Sequence, residues 1–201
     1  IEEWGRKQRY SFLKNTLTKD KGRWIMTAHH ANDQAETILM NLSRKSGVAG
    51  LRGISKENDK VLRPFLDFTK TDILNFSKEI GLPFREDKTN NDDTIPRNFL
   101  RNKILKTWEN EFPEVIQGIS RSSNLFCEWS DGLDYMISEF IISGLKIRDK
   151  KIVISYNSLK PIPSIVKIRL IQLITDSTNS QWSKHHVSML LQFLGKNKSG
   201  N

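Results

Sequence analysis

A dense group of polar residues follows a short apolar run near the start of this sequence. The apolar run is residues 24–26, and the polar group, HHANDQAET, is residues 29–37. Imidazoles, amides and carboxylates therefore come together where a strand would pass into a helix. Open α/β sheets bind their ligands at such a place, because strand carboxyl ends and helix N-termini meet there in one crevice. We expect this segment to carry the chemistry of the protein.

Two interpretations are open for the acids Asp33 and Glu36 in this segment. Carboxylates three residues apart lie on one helix face. The pair is therefore suited to gripping an ammonium group or Mg²⁺, with Asp33 as the metal ligand. The alternative is a capping box, in which both side chains satisfy free backbone N–H groups at the start of the helix.

The histidines of the same segment do not favour a zinc site. His29 and His30 are adjacent, whereas a HExxH site needs two histidines one helical turn apart. Strand alternation predicts that one of the two points into the core. The other is expected to lie beside a phosphate or a base.

Two further segments are suited to binding anions. Arg97 and Arg101 are one turn apart at the N-terminal end of a predicted helix, which makes a phosphate-binding face; a solvated basic helix is the alternative. The loop over 44–53 mixes glycines with cations and allows backbone N–H groups to approach an anion, although a flexible connector is equally compatible. The polar loop over 87–93 lacks the EF-hand spacing, so we expect a solvated turn there.

Composition narrows the class of protein. The chain has 201 residues, 37% hydrophobic residues, a net charge of +9 and a pI near 9.7. Such a charge favours a polyanionic partner, with nucleic acid ahead of a membrane surface. No apolar stretch is long enough to cross a bilayer. The single cysteine, Cys127, excludes a disulfide within the chain and a cysteine-based metal site, and it favours a reducing, cytoplasmic setting.

The apolar periodicity predicts the elements that position these residues. The first part reads as α/β and the part after Pro113 as mainly helical, so we place a domain boundary near residue 110. Helices are predicted over 2–17, 33–42 and 69–80, from Pro96, from Pro113 to about 145, and around 166–174 and 187–194. Strands are predicted over 23–28, 61–66 and 151–155.

Six short motifs, in the same order as here, characterise one known family. Its ARxxRY helix is matched by residues 5–10, and its HHxDDQxET motif stands here as HHANDQAET. Its RGSG, GLxG and RPLL motifs stand here as RKSG, GLRG and RPFL, and its combined DxSNxD...RNxIR motif matches residues 87–92 and 97–101. Over roughly residues 3–105 the chain therefore resembles tRNA(Ile)-lysidine synthetase, a PP-loop ATP pyrophosphatase.

The resemblance implies a fold and a reaction. Residues 1–110 would be the C-terminal portion of a Rossmann-like PP-loop domain with parallel strands, and residues 111–201 a mainly helical tRNA-binding domain. ATP would adenylate the C2 carbonyl oxygen of the wobble cytidine of tRNA(Ile). The amine of free L-lysine would then attack C2 and release AMP. The implied cofactors are ATP and Mg²⁺, and the implied partners are tRNA(Ile) and free L-lysine; no membrane is involved, and a homodimer is left open.

The resemblance also assigns roles to individual residues. Asp33 and Glu36 would hold the lysine, and Arg9 would lie near the phosphates or the lysine carboxylate. Contacts to ATP would come from His30, Asn32, Arg44 and Ser46. Contacts to tRNA would come from Arg63, Arg97, Asn98 and Arg101.

Departures from the family pattern define the alternatives. Asn32 stands where the family usually has Asp, Lys45 replaces a glycine, and the SGGxDS phosphate-binding motif is absent from the sequence. We therefore expect a fragment that has no synthetase activity alone, because nothing in it holds the pyrophosphate. One alternative is another PP-loop tRNA-modifying ATPase of the thiolase type. Such an enzyme would need cysteines in addition to Cys127 for its sulfur or cluster chemistry. The other is a non-catalytic tRNA-binding remnant. A GMP or NAD synthetase is disfavoured, since neither normally shows the RN-x-x-R segment.

Overall fold

The structure is a computed structural model that describes residues 2–85, 92–144, 146–148, 151–153, 159–176 and 184–196. Most of the polar loop predicted over 87–93 lies outside these ranges. The chain forms two compact units, Ile1–Glu128 and Trp129–Asn201, which we describe separately. The functional boundary expected near residue 110 stays a prediction, because the limits of a compact unit and of a functional domain need not coincide.

The first unit is mainly helical, with a small sheet. Its helices are α1 (Glu2–Lys19), α2 (Ala31–Ser43), α3 (Val48–Leu51), α4 (Lys70–Glu79), α5 (Pro96–Phe99) and α6 (Lys106–Glu111), with a π-helical turn at Leu100–Leu105 between α5 and α6. Its strands are β1 (Ile25–Met26), β2 (Glu57–Asn58) and β3 (Val61–Leu62). The predicted helices over 2–17, 33–42 and 69–80 are confirmed, whereas the strands are shorter than predicted.

The order of the sheet brings distant parts of the chain together. β1 pairs in parallel with β3, and β3 pairs with β2 as an antiparallel hairpin. A parallel pair needs a crossover connection, and here α2 and α3 supply it. The α/β prediction therefore holds for this unit, but parallel pairing is limited to one pair of the described strands.

Two apolar clusters hold the first unit together. One contains Leu17, Ile25 and Val61 and fixes α1 against the sheet. The other contains Ala31, Ala35, Leu105 and Ile116 and joins α2 to the last residue of the π-helical turn and to the helix that begins at Val115. Fully burying an aliphatic side chain of this size contributes roughly 1.5–3 kcal/mol. The two clusters therefore fix the start of α2 between the sheet and the arginine-bearing segment.

The connection after α3 packs tightly onto α2. Gly53 has a φ of +61°, and a Cβ there would lie 2.5 Å from Gln34 Oε1. The Gln34 side chain is 2% exposed. Its amide nitrogen, which has two hydrogens, lies within hydrogen-bonding distance of the Arg52 and Ile54 carbonyls and of Ser123 Oγ, at 2.8–3.3 Å. A glycine is required at 53 because this turn needs both the left-handed backbone and the close approach.

The second unit contains the end of a long helix and the elements that follow it. The helix is α7 (Val115–Gly144), and β4 (Lys146–Arg148), β5 (Lys151–Val153), α8 (Ser164–Asp176) and α9 (Lys184–Lys196) follow. Ile137, Leu159 and Leu170 form its buried cluster. The predicted long helix, the two later helices and a strand beginning at Lys151 are confirmed. Among the described residues, no helix has the length and apolar content needed to cross a membrane.

Candidate functional site

The polar segment begins at the carboxyl end of β1 and enters α2 through a capping box. His30 is the N-cap, and its Nδ1 accepts a hydrogen bond from the Asp33 backbone N–H at 3.4 Å. Asp33 Oδ2 in turn accepts from the His30 backbone N–H at 3.0 Å. The predicted alternative of a box between Asp33 and Glu36 is therefore wrong in its register, because Asp33 is the third residue of the helix rather than its cap. Asp33 takes part in the capping box as its third residue, but Glu36 does not take part in it.

Neighbouring side chains fix this entry in place. Asn32 Oδ1 accepts a hydrogen bond from the Lys70 backbone N–H at 2.8 Å, which joins α2 to the first turn of α4. His29 Nδ1 lies 2.8 Å from Thr27 Oγ1. The segment therefore forms a rigid entry to α2 rather than a loose loop.

Glu36 is fully buried and is held by two arginines. Its side chain is 0% exposed. Arg97 Nε donates to Oε2 at 2.6 Å. Arg101 Nε donates to Oε1 at 2.6 Å, and Arg101 Nη2 donates to Oε2 at 3.0 Å. Arg97 Nη2 also donates to Asp33 Oδ1 at 2.9 Å. We call these four residues the acid–arginine cluster.

The acid–arginine cluster combines two groups that the sequence assigned to different ligands. Asp33 and Glu36 were predicted to hold lysine, and Arg97 and Arg101 to bind tRNA phosphate. The structure directs the four side chains at one another instead. The alternative of a merely solvated basic helix is wrong, because the two arginine side chains are only 32% and 29% exposed and both bind Glu36.

Local backbone geometry explains why both arginines reach the same acid. Pro96 occupies the first turn of α5, where its missing N–H costs nothing and its fixed φ suits a helix. Arg97 follows it, and Arg101 lies in the π-helical turn. Residues four apart share a helix face, so both guanidinium groups point toward α2. Turns of this type often mark functional sites in helices.

Burial and charge set the protonation of the groups around this entry. Burial lowers the pKa of His29 and of His30, and the nearby Asp33 carboxylate only partly opposes this effect. Both rings are therefore neutral at pH 7. The hydrogen bonds that Arg101 donates to Glu36 raise the pKa of Arg101, although partial burial of the guanidinium group opposes this effect. Two carboxylates and two guanidinium groups leave the cluster neutral overall.

The other predicted site residues lie in several places. Arg63, at the end of β3, is 8% exposed, and its Nη1 donates to the Ser55 carbonyl at 2.7 Å. Asn98 is 7% exposed, and its Nδ2 donates to the Asp92 carbonyl at 3.0 Å. Both side chains are therefore mostly buried, and each already donates a hydrogen bond to a backbone carbonyl of the protein.

Arg44 and Ser46 are separated from the other predicted ATP residues. They follow the C-terminal end of α2, whereas His30 and Asn32 lie at its start. A helix rises about 1.5 Å per residue, so a helix of this length separates them by roughly 18 Å. Arg44 lines a different cavity, together with Asp93 and Thr94. These four residues cannot all hold one phosphate group.

Arg9 lies on α1 and is exposed. None of the hydrogen bonds or ion pairs found within the described ranges joins it to the acid–arginine cluster. Arg6, on the same helix, was not among the predicted site residues, yet its charge is close enough to act on His29. The signal in the sequence was the spacing of Arg6, Tyr10 and Lys14, which places three polar groups on one helix face.

Magnesium is usually held by one or two carboxylates together with water and substrate phosphates. The described residues contain no group of three or more His, Cys, Asp or Glu side chains able to hold a metal ion. Asp33 Oδ1 accepts from Arg97 and Oδ2 from the His30 backbone, so both oxygens already have donors. A role for Asp33 as the magnesium ligand stays a prediction, and no step below passes through the metal.

Comparison with known proteins identifies relatives. A tRNA(Ile)-lysidine synthase from Caldanaerobacter subterraneus subsp. tengcongensis is 31% identical over 172 residues, covering 85% of this chain and 37% of that protein. One from Bacillus subtilis is 28% identical over 194 residues, covering 92% of this chain and 41% of that protein. One from Thermosipho africanus is 40% identical over 121 residues, covering 60% of this chain and 28% of that protein.

This chain thus spans well under half the length of these curated relatives. Residues 1–108 match the family described as a PP-loop domain. That match contains β1, the capped entry to α2 and the whole acid–arginine cluster. The chain belongs to the PP-loop domain family.

Proposed function

We propose that this chain is part of a ligase that attaches lysine to C2 of the wobble cytidine of tRNA(Ile). The family match implies ATP binding, and the named relatives supply the specific reaction. The observation that carries the proposal is the acid–arginine cluster, because it joins two of the resembling motifs, HHANDQAET and RN-x-x-R, in one place. tRNA(Ile) and free L-lysine as partners and a cytoplasmic setting belong to the same proposal, and the question of a homodimer stays open.

The proposed reaction has two steps. In the first, the C2 oxygen of the cytidine attacks the α-phosphorus of ATP, and pyrophosphate leaves. In the second, the lysine amine forms a bond to C2, the bond from C2 to the AMP oxygen breaks, and the amine loses a proton. Adenylation turns a poor leaving oxygen into a good one. The protein must therefore orient the substrates and stabilise charge that develops on phosphate oxygens.

The hydrogen bond that His30 Nδ1 accepts determines which ring nitrogen of His30 can donate to a substrate. Because Nδ1 accepts from the Asp33 backbone and the ring is neutral, the ring hydrogen lies on Nε2. His30 therefore offers a donor rather than a base. A donor of this kind suits a phosphate oxygen of the adenylate better than it suits the lysine ammonium group.

The geometry gives Glu36 a different part from the one that the resemblance implies. A carboxylate that is 0% exposed and accepts three hydrogen bonds from arginines is poorly placed to receive a lysine substrate. We propose that Glu36 is a positioning residue for Arg97 and Arg101, whose partly exposed guanidinium groups then face phosphate. Asp33, whose side chain is 16% exposed, is the acid better placed to contact the lysine.

The experiment is a lysine-dependent assay on the complete gene product. We would incubate it with ATP, tRNA(Ile) carrying cytidine at the wobble position, and L-lysine, and measure AMP formation and lysine incorporation into the tRNA. The proposal requires both products, and both should depend on the wobble cytidine. Incorporation of sulfur in place of lysine would identify a thiolase, and tRNA binding without AMP formation would identify a non-catalytic binding protein.

A further inference from the structure

A small polar cavity lies in the first unit, apart from the acid–arginine cluster. It is found between α1 and the β2–β3 hairpin and has a volume of about 220 Å³. Its polar lining is Arg6, Tyr10, Lys14, Asn58, Asp59 and Arg63. None of the roles assigned above uses this cavity, although Arg63 was predicted to contact tRNA.

Arg63 carries a buried donor that has no acceptor among the described residues. The residue is 8% exposed, and its Nη1 donates to the Ser55 carbonyl at 2.7 Å. Its buried Nε has no hydrogen-bond partner in the part of the chain that the structure describes. Buried donors without partners are rare in folded proteins, and each one calls for an explanation. An arginine held by one nitrogen, with another left over, is suited to an oxyanion, which the guanidinium fork recognises through parallel N–H groups.

The charges around the cavity also favour an anion. Lys14 Nζ lies 2.7 Å from Asp59 Oδ2, so these two charges offset each other. Arg6 lies over the Tyr10 ring at 5.8 Å. Among the described ion pairs, none neutralises Arg6 or Arg63. Three cations and one carboxylate therefore leave two net positive charges on the cavity wall.

The position of the cavity fits ligand binding. Arg63 follows β3, and His29 follows β1, which is parallel to β3. Ligands of α/β sheets bind beyond these carboxyl ends. Burial is the main cause that lowers the pKa of His29, and the charges of Arg63 and Arg6 lower it further. The charges of Arg63 and Arg6 therefore extend to the carboxyl end of the parallel strands, where His29 lies.

We infer that this cavity binds one phosphate group, with Arg63 as a buried fork and Arg6 as the second cation. Two uncompensated positive charges match a phosphate better than the single charge of a carboxylate. The phosphate can come from an RNA backbone or from a nucleotide. Only this choice of source rests on the proposed function, because phosphate binding itself can be measured without tRNA or catalysis.

The first experiment measures inorganic phosphate binding to the 201-residue chain by calorimetry, with chloride holding the ionic strength constant. Arg6→Gln should weaken binding about tenfold, the effect of losing one charge-assisted hydrogen bond. Arg63→Lys keeps the charge but removes the fork, so it should also weaken binding. Arg23→Gln is the matched control, because Arg23 is exposed and does not line the cavity.

The outcomes distinguish phosphate binding in this cavity from attraction of phosphate to the positive charge of the whole chain. Weaker binding by Arg6→Gln with parent-like binding by Arg23→Gln supports the site. Equal weakening by both variants, or no phosphate binding by the parent chain, overturns it. Arg6 is exposed, so Arg6→Gln keeps the test valid even if Arg63→Lys does not fold, which circular dichroism would show.

Competition then identifies the source of the phosphate. If the ligand is an RNA backbone, tRNA(Ile) displaces inorganic phosphate, and Arg6→Gln lowers the slope of log affinity against log salt by about one. If it is a nucleotide, ATP or AMP displaces phosphate and tRNA does not. Failure of lysine incorporation by the complete gene product would contradict the proposed function, yet would leave a positive phosphate titration intact.

Discussion

Arg101 binds both oxygens of the Glu36 carboxylate, through Nε at 2.6 Å and Nη2 at 3.0 Å. Such a two-point contact fixes the orientation of both planar groups as well as their distance. The carboxylate is fully buried, so bulk water does not screen the pair. Arg97 completes the arrangement by donating to Glu36 and to Asp33.

The pairing with two arginines bears on the role of Asp33 and Glu36, the acids near the start of α2. A buried ion pair contributes little net stability compared with a well-packed apolar pair, but removing one partner is costly. The cluster is therefore better explained by what it orients than by the stability that it adds. We infer that it holds two arginines in fixed rotamers at the edge where substrate phosphates are expected.

Glu36→Gln should destabilise the chain strongly. The substitution is nearly isosteric, but it removes the buried negative charge that both guanidinium groups bind, while Arg97 keeps its contact with Asp33. Breaking a buried pair in this way costs about 3–5 kcal/mol. The free energy of unfolding, measured by urea titration of the 201-residue chain, should fall by that amount.

Asp67→Asn is the matched control for that measurement. Asp67 pairs with Lys56 at 2.7 Å, but both side chains are more than half exposed. Exposed pairs contribute about 0–1 kcal/mol, so this variant should remain close to the parent. Equal losses from the two substitutions would contradict the assigned burial of Glu36.

The sequence predicted the elements of the site better than its contacts. The predicted helix over 69–80 is confirmed, and its start follows a local signal, because Thr69 and Asp72 form a capping box there. The cap of α2 was predicted in the wrong register, because histidine is not among the residues preferred at an N-cap. Here the position of the preceding strand, rather than local preference, decides where the helix begins.

The contacts of Glu36 could not be predicted for a different reason. Its partners are 61 and 65 residues away in the sequence, and amphipathic periodicity does not show which charges will meet. The periodicity placed Arg97 and Arg101 on one face correctly, but it did not show that this face meets α2. The burial of Arg63 depends likewise on the pairing of β1 with β3, which only the tertiary fold determines.

Stability should fall as the pH is lowered through the titration range of histidine. Burial lowers the pKa of His30 in the folded state, while the unfolded chain keeps the ordinary value of about 6.5. Below that value the unfolded state binds the proton more readily than the folded state does. The contribution of the neutral ring is therefore present above about pH 6.5 and is lost as the pH falls toward the lowered pKa.

Two histidine variants test this pH dependence. His30→Gln should flatten the fall in unfolding free energy between pH 7.5 and pH 5.5. His185→Gln serves as the control, because His185 is exposed on α9. A pH profile that His30→Gln leaves unchanged would show that its burial does not govern the acid sensitivity.

Gly53→Ala should destabilise the chain more than Gly81→Ala. Both glycines have a left-handed backbone, with φ of +61° and +68°, and an L-residue pays roughly 1–2 kcal/mol for that conformation. At Gly81 a Cβ meets nothing within 4 Å, whereas at Gly53 it would lie 2.5 Å from Gln34 Oε1. The difference between the two variants in urea titration measures the displacement of Gln34, and equal losses would show that Gln34 moves freely.

Arg97→Gln in the complete gene product should change how tRNA binding depends on salt. If the exposed part of Arg97 faces a tRNA phosphate, removing its charge lowers the slope of log affinity against log salt by about one. Glu36→Gln should leave the slope closer to the parent value, because it keeps both arginine charges and alters only their orientation. The measurement is a binding titration at several salt concentrations, with folding of each variant checked by circular dichroism. A parent-like slope for a folded Arg97→Gln would remove Arg97 from the tRNA interface and leave it only the part of holding Asp33 and Glu36 in place.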